Sequence, residues 1–230
     1  MVYSQTLSDF TCVEGDRTDN YVHSFGVAYS GFLCMQYTKI TSHSYRYYLI
    51  SDEEQEEKTK SRVKLIDVNT VTQPYSISGI CYPRNGPGVE EYHVLVMQGM
   101  QSNVNQFLPN LLLGVYSYTV MNGSGSFCGN GSTWDSCTNK TSIVFNYTQC
   151  STFMLGSVSG KLNCVTYVSD GSNYFATVIN SDGQDRVFTC LAAVSSGDKV
   201  LVSTNPGSCA KGQTPSLRTS NPSSVTISLI

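Results

Sequence analysis

Charge is what this sequence has least of. Only 13% of its 230 residues are Asp, Glu, Lys or Arg, against the ~25% usual for soluble globular chains. The formal net charge of −3 leaves no basic footprint for a nucleic-acid partner. Long apolar runs are missing as well. No stretch approaches the ~18 residues of a transmembrane helix, so no membrane insertion is expected. Met1 is followed by neither a basic n-region nor an apolar h-region, so it does not begin a signal peptide. Helical periodicity is absent over any useful length. The single charge run, Asp52 to Lys60, is acidic and then basic, and reads as a solvated loop or short surface helix. Short catalytic signatures are absent too. The glycine pairs Gly125/Gly129 and Gly156/Gly160 enclose Phe127 and Val158, where a nucleophile elbow needs serine. There is no P-loop, no G-x-G-x-x-G and no H-E-x-x-H. The expectation is no enzyme and no cofactor.

Tyr, Ser, Thr, Asn and Gly fill the place of the missing charge, and cysteine is plentiful. Cys12, Cys34, Cys81, Cys128, Cys137, Cys150, Cys164, Cys190 and Cys209 are widely spaced. None forms a C-x-x-C pair, and His23, His43 and His93 are scattered. Zinc needs four clustered ligands, so no metal is expected. Spaced cysteines in β-rich sequence read instead as disulfides, which require an oxidising compartment. An odd number leaves one without a partner inside the chain. Cys128–Cys137 is the first pair expected, because Gly129, Gly131 and Ser136 let the short loop turn back. Four N-x-[ST] sequons place glycosylation at Asn122, Asn130, Asn139 and Asn146, and glycans need a surface position in a secreted context. A disulfide-rich chain without its own signal is expected to be part of a longer protein.

Strand patterns recur along the chain. Tyr21–Tyr29, Phe32–Ile40, Tyr45–Ile50, Val63–Val68, Tyr92–Met97 and Leu111–Val120 are rich in aromatic and β-branched residues. So are Ile143–Thr148, Leu162–Val168, Tyr174–Ile179, Val187–Val194 and Val200–Ser203. Turn residues such as Asn85-Gly86-Pro87-Gly88 and Asp170-Gly171 separate them. This rhythm predicts an all-β fold, an antiparallel β-sandwich or small barrel modules with disulfides. Only Asn105–Leu113 is ambiguous, and Pro109 breaks it. The polar stretch Gln98–Gln106 predicts a boundary. The expected units are a first β module over 1–104 and a cysteine-rich β module over 105–205. A Ser/Thr/Pro-rich linker or tail is expected over 206–230. Phe10-Thr11-Cys12 and Phe188-Thr189-Cys190 repeat one tripeptide, each followed about twenty residues on by another cysteine (Cys34, Cys209), which points to tandem modules.

The string Cys128 to Cys137 ends in Trp134-Asp135-Ser136-Cys137 and is followed by Phe145-Asn146-Tyr147-Thr148-Gln149-Cys150. Gly160-Lys161-Leu162-Asn163-Cys164 and Arg186-Val187-Phe188-Thr189-Cys190 complete the pattern. Together, from about Leu111 to Val194, these resemble a family of cysteine-rich β modules of unknown function. Such modules occur in tandem in large secreted or membrane-anchored invertebrate proteins. The resemblance implies extracellular location and modular architecture, and implies no catalytic residue or ligand.

Candidate residues outside that pattern have plain structural readings. His93 sits inside an apparent strand between Tyr92 and Val94 and reads as structural. Asp135 beside Trp134 offers an acid next to a sugar-stacking ring, yet the tryptophan reads better as a packing anchor against the Cys128–Cys137 loop. Asp16, Asp19, Asp170, Asp182 and Asp185 lack a calcium-loop frame. The reading as a whole is a non-catalytic extracellular structural or interaction module, with a protein or glycan partner. Two alternatives stand beside it. One is a lipocalin-like carrier, to whose first strand Leu113-Gly114-Val115-Tyr116 is similar, without the usual Trp. The other is a hydrolase with a dispersed site. Glycans are expected to keep partners off the Asn122–Thr148 region, leaving Arg84–Gly88 and Asp52–Glu57 as candidate binding loops.

Overall fold

The computed structural model describes residues 11–15, 20–25, 29–53, 62–67, 81–126, 131–146, 154–182 and 187–230. The strands are β1 (Thr11–Gly15), β2 (Asn20–Phe25), β3 (Tyr29–Thr41), β4 (Ser44–Leu49), β5 (Lys64–Asp67), β6 (Tyr92–Val96), β7 (Val115–Asn122) and β8 (Gly125–Ser126). They continue with β9 (Thr133–Asp135), β10 (Ser142–Phe145), β11 (Lys161–Asp170), β12 (Asn173–Ile179), β13 (Phe188–Ser196), β14 (Lys199–Pro206) and β15 (Thr226–Leu229). The protein is all-β, as its pattern predicts. The strands form a six-stranded sheet and a nine-stranded sheet. The chain divides into two compact units, Met1–Thr38 with Tyr47–Pro87, and Lys39–Arg46 with Gly88–Ile230.

In the first unit β2 pairs antiparallel with β1 and β3, and β5 adds to the start of β3. The buried disulfide Cys34–Cys81 ties β3 to the stretch between β5 and β6. Arg62 is buried there and donates to the carbonyls of Ser51 (3.2 Å), Asn85 (2.8 Å) and Gly86 (3.1 Å). It also pairs with Glu53 at 3.2 Å. A buried guanidinium is tolerable because its forked donors are met by oxygens.

The second unit holds a closed barrel. The ring runs β7-β9-β10-β11-β12-β13-β14-β15 and returns from β15 to β7, every pair antiparallel, with the short β8 flanking β7. Eight strands enclose just enough room for side chains, and each strand supplies them at the period of two that a pleat imposes. Tyr118 and Val120, Ile143 and Phe145, Leu162 and Cys164, Ala176 and Val178 belong to one buried cluster. Leu191 and Ala193, Val200 and Val202, Ile227 and Leu229 complete it, with Trp134 from the three-residue β9. Phe145 meets the rings of Trp134 and Tyr118 edge-on, at 5.1 and 5.5 Å, a favoured aromatic geometry.

The middle of β11, β12 and β13 is buried on both faces. This explains why those stretches read as apolar runs more than as alternation. The covering element is β6. Its Val94 and Val96 pack against Val165 and Ile179, beside Val104, and the Tyr92 hydroxyl lies 3.0 Å from the Phe175 carbonyl. That packing places the division between units near Pro87/Gly88 and groups Gly88–Val104 with the barrel, where the sequence suggests a boundary at 104/105. The stretch Gln98–Gln106 contains a 3-10 turn, Gln101–Asn103, with no buried residue.

The expected tail is not a linker. Thr226–Leu229 is the strand that closes the ring, paired to β14 and β7 at once. The connection before it is held by the Cys190–Cys209 disulfide. Gln213 bonds to Ser203 (3.1 Å), Thr219 to Asn205 (2.7 Å) and Arg218 to the Ser224 carbonyl (2.8 Å). Ser, Thr and Pro here satisfy a long loop locally through side-chain bonds, a composition that mimics a linker.

Candidate functional site: the loop end of the barrel

An antiparallel meander puts alternate connections at opposite ends. One end is closed by the segment before β7. Leu108 and Leu112 plug it, after Pro109 starts the 3-10 turn Asn110–Leu112. The Leu112 carbonyl accepts from the Trp134 indole at 3.2 Å. Tyr116 folds back over Gly114 and donates to the Leu113 carbonyl at 3.0 Å. A Cβ on Gly114 would lie 2.6 Å from that ring, which accounts for the glycine of Gly114-Val115-Tyr116.

The other end carries the longer connections, β7 to β9, β10 to β11, β12 to β13 and β14 to β15. From the second of these, Leu155 reaches into the barrel cluster and is only 5% exposed. Its backbone is left-handed, φ 54° and ψ 27°, a conformation that costs a non-glycine residue about 1–3 kcal/mol. The residues around it are held by the β12–β13 turn. Asn180 donates its amide to the Gly156 carbonyl at 2.6 Å. The Asp182 carboxylate accepts from the backbone N–H of Val158 (3.2 Å) and Ser159 (2.7 Å), with the Ser157 hydroxyl at 3.1 Å. Burial pushes the Asp182 carboxyl up, but these hydrogen bonds outweigh it and hold the group below its ordinary value.

The sequons do not share one face. Asn122 ends β7 and Asn146 follows β10, both at the loop end, whereas Asn139 lies in the β9–β10 connection at the opposite end. The single glycosylated face expected over Asn122–Thr148 is therefore corrected, because β9 inserts a strand between its sequons. Asn139 and Asn146 are exposed and Asn122 is half-buried. The Asn139 side-chain oxygen accepts from the Thr141 N–H (3.0 Å) and hydroxyl (2.8 Å). Asn130 is outside the described residues.

Cys34, Cys81, Cys190 and Cys209 are disulfide-bonded. Cys137 and Cys164 are free thiols, so the Cys128–Cys137 bridge is also corrected. Cys137 is instead placed by a turn in which Asp135 accepts from the N–H of Cys137 (2.8 Å) and Thr138 (3.1 Å). Cys164 faces the barrel core, where burial pushes its thiol up to about 12. Cys128, Cys150 and the side chain of Cys12 lie outside the described residues. Because Cys34 pairs with Cys81, the tripeptide repeat does not extend to matched bridges.

Trp134 and Asp135 point to opposite sides of β9. The indole is fully buried and the Asp135 carboxylate caps an exposed turn, so they form no joint acid and stacking platform. His93 is half-buried, its pKa lowered by burial and raised less by Glu91. Among the described residues no three His, Cys, Asp or Glu side chains converge as metal ligands, and no helix is long and apolar enough to cross a membrane. The two candidate binding loops do meet in the first unit. The Arg84 N–H donates to Asp52 at 2.8 Å, and Arg62 clamps Glu53, Asn85 and Gly86. Arg62 went unforeseen because a lone arginine after a charge run reads as surface. Glu54–Glu57 are outside the described residues.

A family model described as a domain of unknown function (DUF7042) matches residues 108–224, just over half of the chain. The match begins at Leu108, which plugs the closed end, and runs to Ser224, next to the ring-closing strand. No curated protein and no solved structure matches the chain.

Proposed function

We propose that this chain, which belongs to the DUF7042 family of domains of unknown function, is a non-catalytic interaction module of a secreted or cell-surface protein. The observation that carries the reading is a barrel filled by side chains of its own strands and connections in a chain stapled by Cys34–Cys81 and Cys190–Cys209. A filled eight-stranded barrel is a scaffold that displays loops. Disulfides persist where the surroundings are oxidising, and the exposed sequon asparagines Asn139 and Asn146 suit the same route. The partner, a protein or glycan, meets the Asp52/Glu53 and Arg84–Gly86 loops organised by Arg62. The resemblance to tandem invertebrate modules supports repetition of such units along a longer protein.

The test is to express the chain behind a signal peptide in an animal secretory line and map its peptides without reduction. Linked peptides for both bridges are expected, with glycan on Asn139 or Asn146. Secreted material with Cys34, Cys81, Cys190 and Cys209 all as free thiols would defeat the reading.

A further inference from the structure

We infer that Met154–Gly160 is a displaceable stopper and that the barrel interior beneath Leu155 is a binding site for a small apolar molecule.

Leu155 stands apart from the side chains that line the interior between the strands. Those are fixed by strand ladders, whereas Leu155 comes from a connection. Its left-handed backbone is the single non-glycine residue with positive φ among the described residues. A conformation that leucine resists is maintained by burying the side chain and by the bonds around it. Those bonds run from Asn180 and Asp182 to Gly156, Val158 and Ser159, so a neighbouring turn acts as the catch. Glycines with positive φ follow at Gly156 (77°) and Gly160 (77°), where backbone rotation meets no Cβ penalty. Beyond Gly160 the ladder resumes, the Gly160 carbonyl accepting from the Phe145 N–H at 2.8 Å. Swinging the segment out vacates the volume of a leucine side chain. The vacated space adjoins an apolar cluster of aliphatic and aromatic residues. An apolar cavity of this kind stays dry and admits an apolar guest of about benzene size. A ligand that stabilises the open form shifts the population toward it. The chemistry selects an uncharged aromatic or short aliphatic group.

The probe is benzene, matched to the vacated volume, titrated into the full chain and followed by calorimetry. Leu155→Gly removes the stopper and suits the local φ. It is expected to bind the probe saturably, at one site and at least tenfold more tightly than the unaltered chain. Val115→Ala, on the outside of β7 with a side chain 65% exposed, serves as the control and should leave affinity unchanged. If Leu155→Gly does not fold, as judged by its thermal transition, the Asn180→Ala/Asp182→Asn variant releases the catch and is held to the same tenfold criterion. A folded variant with no gain in affinity overturns the inference. So does an equal gain in Val115→Ala, which would report general loosening of the barrel.

Discussion

Trp134 and Asp135 are adjacent, and β9 sends one into the barrel core and the other to solvent. Trp134→Ala removes the largest side chain of that core and should cost about 3–5 kcal/mol, read as the shift in urea midpoint. Asp135→Ala should cost a small fraction of that, since its bonds lie on an exposed turn. Equal losses would mean that the indole is not the anchor. Asp182 gives a pH signature. Its folded pKa lies below its unfolded value, so its contribution is present above the ordinary carboxylate range, about 3.9. It is lost as pH falls through the depressed folded value. Thermal melts of Asp182→Asn should therefore show a shallower acid limb than the unaltered chain below about pH 4. Parallel acid limbs would exclude this role for the carboxylate.

Two short strands decide the barrel, and both were hard to read. β9 has three residues and β15 four, too few for a period-2 signal to stand out. Trp134-Asp135-Ser136-Cys137 instead suggested a loop closed by cysteines, and the Ser/Pro/Thr run before β15 suggested an unstructured end. The longer strands were legible because aromatic and β-branched residues cluster between turn residues, as in Lys161–Asp170 and Asn173–Ile179. The stopper was not legible at all. Nothing in Met154-Leu155-Gly156 announces a left-handed leucine, and the bonds that hold its neighbours come from the distant pair Asn180 and Asp182. The importance of β15 is testable by removing residues 226–230. Loss of its pairing to both neighbours should abolish the cooperative melt of the barrel. A shortened chain that melts as before would show that ring closure contributes little.

The Cys34–Cys81 and Cys190–Cys209 bridges staple different units, and the single tryptophan of the sequence reports on only one of them. Cys190–Cys209 spans 19 residues, a loop whose closure is worth about 3 kcal/mol. A Cys190→Ser/Cys209→Ser variant should lower the tryptophan-fluorescence transition accordingly, and Cys34→Ser/Cys81→Ser should move it much less. The reverse order would contradict the division into units. Ring closure has a further consequence for how the molecule is made. β7 leaves the ribosome well before its partner β15, which is more than a hundred residues behind. At the usual ~5–20 residues per second, the nascent chain spends roughly ten seconds as an open, curling sheet. Two strand margins then lie bare, and strand margins of that kind recruit neighbouring chains. Crowded polysomes are thus the most hazardous place for this protein, and the hazard ends only when Thr226–Leu229 arrives to seal the ring.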